Sequence, residues 1–137
     1  MSAPGCRLTS LESFDYNCIA WAAGEDDRFW WPDSQQIGYW PDGVQREVTI
    51  EAFVAAYQTL GYERCSSSEL EASFEKIVIY SKNGKPTHAA RQLSTGKWTS
   101  KLGQWVDIEH DTPECVVTFS PKCADYGAPA QFMKRAI

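Results

Sequence analysis

At 137 residues the chain has room for one domain and one core, because a domain of this size buries roughly 68% of its unfolded surface. Its 43% hydrophobic and 23% charged residues exclude a disordered chain, and a net charge of −5 with dispersed basic residues excludes the clustered positive surface that phosphate backbones require. No apolar run approaches the roughly 18 residues of a membrane helix, and Met1 to Thr9 lack the basic start and apolar stretch of a secretory signal.

Asp15 to Gly24 reads as a short buried helix, capped by Asp15 or Asn17 and ended by Gly24, with Cys18 in its first turn. Glu25 to Glu47 is rich in Asp, Gly, Pro and Trp without any period, so a long aromatic loop is expected there. Thr49 to Gly61 puts Ile50, Phe53, Val54, Tyr57 and Leu60 on one stripe of an amphipathic helix, with Thr49 as N-cap and Gly61 as C-cap. After a Ser-rich turn, Glu69 to Ser73 offers a short helical turn. Glu75 to Ser81 is a strand, Lys82-Asn-Gly-Lys85 a hairpin turn, and Thr87 to Leu93 the partner strand. A turn at Ser94 to Gly96 leads to strands at Lys97 to Lys101 and Trp105 to Glu109. The tail from Cys115 reads as irregular, apart from a strand candidate at Val116 to Phe119.

The chemistry centres on Cys18. A thiol in the first turn of a helix lies against free backbone N–H groups and the positive end of the dipole, which favour thiolate. The base must be an imidazole, and the chain has two, His88 and His110. His88 falls on the central strand of the expected meander, and His110 reads as structural. A third residue should accept from the second ring nitrogen of His88, and the candidates are Ser100, Asp107, Gln104 and Glu109. A turn centred on Thr95 and Gly96 sets Ser100 opposite Arg91 and His88 opposite Gly103, so Ser100 reaches His88 only through a bulge, a longer turn or strong twist. The backbone N–H of Cys18, with Asn17 or a group near Ser13, would form the oxyanion hole. Trp21, Trp30, Trp31, Tyr39 and Trp40 could wall a substrate groove.

Asn17-Cys-Ile-Ala-Trp21 resembles the nucleophile helix of papain-like cysteine hydrolases. Thr87 to Lys101 resembles the His-bearing hairpin of their bacterial cell-wall endopeptidase branch, in which a polar residue follows the His by about a dozen positions. Here that position holds Ser100, where the family usually has His, Asn or Gln. The resemblance implies an α+β papain-like fold: a nucleophile helix and a second helix packed on an antiparallel sheet of about four to five strands. It also implies peptidase or amidase chemistry through a thioester, or deamidation or transglutamination, on a peptide or protein substrate.

Five cysteines leave at least one thiol unpaired, Cys115 and Cys123 offer a loop staple, and no CxxC or neighbouring His supports a metal site. No cofactor, nucleic acid or membrane is expected. One domain over residues 1–137 is expected in the cytoplasm, or delivered by a specialised secretion system as a toxin or effector with a cognate inhibitor or immunity protein. The alternative is a non-catalytic peptide- or protein-binding module on the same fold.

Overall fold

The computed structural model describes residues 6–8, 18–24, 30–32, 39–101, 107–118 and 126–137, with the backbone alone at 6–8, 107 and 116–118. The Asn-Gly dipeptide dictates its central feature. Asn83 and Gly84 adopt φ of 55° and 80°, as a two-residue type I′ hairpin turn requires, and join β3 (Phe74–Lys82) to β4 (Lys85–Gln92). Gly96, at φ 90°, turns the chain into β5 (Trp98–Lys101), and β6 (Asp107–His110) follows antiparallel to it. The strand β7 (Ala128–Ala136) returns along the other edge of β3. Two strands of three residues, β1 (Cys6–Leu8) on β6 and β2 (Glu63–Cys65) on β7, complete a seven-stranded sheet in the order β1-β6-β5-β4-β3-β7-β2. Edge strands this short blunt the sheet against edge-to-edge pairing.

One face carries both helices, α1 (Cys18–Ala22) and α2 (Ile50–Gln58). Their residues Cys18, Ile19, Phe53, Val54 and Tyr57 form a core with Ile77, Ile79, Ala89 and Met133. Complete burial of one side chain such as Phe53 contributes about 1.5–3 kcal/mol. Thr49 caps α2 as expected, its hydroxyl accepting from the Ala52 N–H at 3.1 Å, while the C-cap is Thr59 rather than Gly61. Thr49→Ala should therefore lower the unfolding free energy by about 1 kcal/mol in urea denaturation.

Alternation sends Val78, Tyr80, His88, Ala90, Trp98, Ser100, Ile108 and His110 to the opposite face, where all are buried. A 3-10 helix at Pro113–Thr118 lies against this face, with the Tyr80 hydroxyl donating to the Pro113 carbonyl.

The expected papain-like α+β fold on four to five strands is thus corrected: the described residues are mainly β, seven strands with two short α-helices. The miscount has physical causes. Three-residue strands are too short to show a period of two. Pro129 and Gly127 disguised β7, yet Pro129 pairs with Tyr80 beside a register shift, where a strand tolerates a residue without an N–H. Val116, expected in a strand, belongs to the 3-10 helix, and Glu69 to Ser73 is bend and turn rather than helix.

Candidate active site

The β4–β5 register differs by one residue from the expected one: Arg91 pairs with Thr99 and Gln92 with Trp98. Ser100 therefore stands level with Ala90, on the face of His88 and one diagonal step from it, and no bulge is needed. Its Oγ lies 3.0 Å from His88 Nε2 and 2.8 Å from His110 Nε2. His110 Nδ1 in turn lies 2.7 Å from the Thr112 carbonyl oxygen. Three strands thus contribute one hydrogen-bonded chain.

Its protons can be assigned from one end. A carbonyl only accepts, so His110 donates from Nδ1. Burial holds the His110 pKa below its ordinary 6.5, which leaves Nε2 of a neutral ring as acceptor for the Ser100 hydroxyl. Ser100 Oγ must then accept from His88 Nε2–H. Burial first, and then His110, push the His88 pKa down to about 3, so this ring is also neutral and its Nδ1 carries a bare lone pair. That Nδ1 is buried and has no hydrogen-bond partner among the described residues. The Tyr126 ring stacks on His88 at 4.1 Å between centroids, and Tyr80 flanks it at 5.0 Å. Thr87 donates to the Tyr126 carbonyl and holds that cover in place.

Cys18 opens α1 and is 8% exposed. Its thiol is not the thiolate expected from a helix N-terminus. Burial pushes it up to about 11, against the lowering effect of the Ala89, Ile19 and Cys18 backbone hydrogen bonds and of Lys101. The dipole of a five-residue helix cannot offset complete desolvation. The thiol is at the Ala89 amide, one peptide from His88, yet no hydrogen bond joins it to either ring nitrogen. The His88 side chain leaves β4 on the face opposite α1, since Ala89 packs with the helices and neighbours alternate.

The aromatic residues of the expected groove differ in burial, and Tyr39 is exposed. Trp40 is buried against Phe53 and donates to the Gln45 carbonyl, and Trp30 is buried and stacks on Tyr57. Trp31 packs edge-on against Phe53. Trp21 bolts α1 to β5, its Nε1 donating to Thr99 Oγ1 at 3.1 Å under the Arg91 guanidinium. Trp30 and Trp40 thus belong to the core, with Trp21 and Trp31 half-buried against it. The backbone of Asp107 lies in β6, and its side chain, like all of Ser13, Asn17 and Gln104, lies outside the described residues. So does Cys123 of the expected staple, while Cys18, Cys65 and Cys115 are not in disulfides.

Sequence reasoning set His110 aside as structural and passed over Lys101. The strand period was the available signal: His110 pairs with Trp98 on β5, which puts it on the face of Ser100. Among the described residues no three His, Cys, Asp or Glu side chains gather to hold a metal ion, and no helix is long and apolar enough to cross a membrane.

Neither curated proteins nor solved structures include a match to the chain. A family model described as a domain of unknown function, DUF7689, matches residues 7–134. With nearly its whole length matched, the chain belongs to the DUF7689 family.

Proposed function

We propose that the chain is a non-catalytic peptide- or protein-binding module: the Cys18 thiol packs on the helix face of the sheet and the His88 ring on the opposite face, so the two make no nucleophile–base pair. The Ser100–His110–Thr112 chain ties β4, β5 and β6 together on that far face and leaves His88 Nδ1 with a bare lone pair.

The resting groups are a neutral thiol and a neutral imidazole on opposite faces of β4, and proton transfer needs donor and acceptor within hydrogen-bond reach. The Ser100–His110–Thr112 chain therefore acts as a buried tie between strands rather than as the orienting arm of a base for Cys18.

The unpaired Nδ1 of His88 favours a second reading, a cysteine-dependent acyl-transfer enzyme acting on an amide or ester bond of a peptide or protein, which requires the two groups to come onto one face. Alkylation with iodoacetamide, followed cysteine by cysteine by mass spectrometry, separates the two. For the binding module, His88→Ala should leave the labelling rates of Cys18 and Cys65 near neutral pH unchanged. Cys18→Ala should melt within a few degrees of the parent, since only a small cavity results. A Cys18 rate that falls at least ten-fold without His88, with Cys65 unchanged, would establish the enzyme.

A further inference from the structure

Arg91 brings a charge to the helix face of the sheet, and no described residue supplies its counter-ion. Its side chain is half-buried, with the guanidinium 5.0 Å from the centre of the Trp21 ring and Nη1 beside exposed Gly24, where a Cβ would stand 3.5 Å from it. A guanidinium keeps its charge inside a protein, and a ring against its flat face leaves the in-plane N–H groups free to donate. None of them has an acceptor among the described residues: Nε is buried without a partner, while Nη1 and Nη2 are not closed off from solvent. The neighbouring arginine is committed, since Arg135 donates from Nε to Glu75 and from Nη1 to the Leu60 carbonyl at 2.9 Å, over the Tyr62 ring. Burial pushes the Tyr62 hydroxyl up to about 12, with Arg135, Glu75 and Arg91 acting on it, so it keeps its proton. It too is buried without a partner among the described residues. With Arg135 and Glu75 neutralising each other, the excess at this spot is the single positive charge of Arg91.

We propose that Arg91, stacked on Trp21, is a subsite for a carboxylate side chain of a partner peptide, with Nη1 and Nη2 each donating to one carboxylate oxygen; this rests on the binding-module reading above and names the chemistry of its partner. The fork of two parallel N–H groups matches a carboxylate in shape as well as charge. Trp21 holds that fork in one orientation, so less side-chain freedom is lost when the ligand arrives. Phosphate fits less well, because a dianion calls for a second cation and Glu75 already holds the one nearby. The chain's net charge of −5 acts in the same direction, favouring a segment with one acidic residue over a strongly acidic one.

The test titrates a blocked tripeptide, acetyl-Gly-Glu-Gly-amide, into the intact nitrogen-15-labelled protein, with acetyl-Gly-Gln-Gly-amide and inorganic phosphate as comparators. The Glu peptide should move the Arg91 Nε–H and Trp21 indole N–H resonances together and saturably, binding at least about five-fold more tightly than the Gln peptide or phosphate. Arg91→Gln should abolish that binding, and Arg91→Lys, which keeps the charge but loses the fork, should weaken it about five-fold. Arg91 and Trp21 resonances in the wild-type protein that stay still with the Glu peptide, or respond equally to the Gln peptide or to phosphate, overturn the proposal, whether or not either variant folds. The two readings fail separately. If His88→Ala slows Cys18 labelling ten-fold while the Glu peptide still binds through Arg91, the module falls and the carboxylate site stands; unmoved resonances in a protein whose Cys18 labelling ignores His88 end the site and leave the module.

Discussion

Acidification from pH 6.5 to pH 5 should lower the unfolding free energy by about 2 kcal/mol through His88 alone. The folded protein holds this ring neutral down to about pH 3, whereas the unfolded chain protonates it near 6.5. Between those values the unfolded state binds the extra proton, so stability rises with pH and is lost as pH falls. The slope for one such group is about 1.4 kcal/mol per pH unit. His110, also held below its ordinary value by burial, acts in the same direction. The structural reason lies in the relay. Protonating His110 would put a donor on Nε2 facing the Ser100 hydroxyl and reverse the chain, and protonating His88 would bury a charge against Tyr126 and Tyr80. Urea midpoints across this pH range measure the effect, with His88→Gln expected to flatten the slope by about one proton's worth. A parent protein equally stable at pH 6.5 and pH 5 would contradict the buried neutral pair.

Gly127→Ala should destabilise the protein by about 3 kcal/mol or more, seen as a fall in melting temperature of about 10 °C. Gly127 has φ 77°, where an L side chain is strained, and a Cβ there would run into the Ser81 backbone carbonyl. A backbone obstacle cannot swing aside as a flexible side chain can. The residue also joins Tyr126, the cover over His88, to β7, so a forced shift would loosen the stack as well as the strand. Gly43→Ala is the control, because φ is 80° there but nothing lies within 4 Å of the added carbon, and only backbone strain of about 1 kcal/mol is expected. Equal losses at the two positions would show that the close approach to Ser81 is not what Gly127 provides.

By itself the sequence determined the features whose causes are local. The Asn83-Gly84 turn, the Thr49 cap and apolar stripe of α2, and the helix opening at Cys18 and stopped by Gly24 all follow from backbone preferences over a few residues. The choice of Ser100 as the partner of His88 was also within reach, since spacing along two strands of one hairpin is nearly a local property. Tertiary structure decided the rest. That β7 pairs with β3 past Pro129 depends on a partner about 50 residues away in sequence. That Trp30 and Trp40 are buried depends on α2 arriving beside them. Ionisation is the sharpest case, because a helix N-terminus favours thiolate while burial opposes it, and only the packed core supplies the burial that pushes Cys18 up to about 11 and His88 down to about 3. Local preference acts through near neighbours in the chain, whereas desolvation sums over every atom the fold brings near.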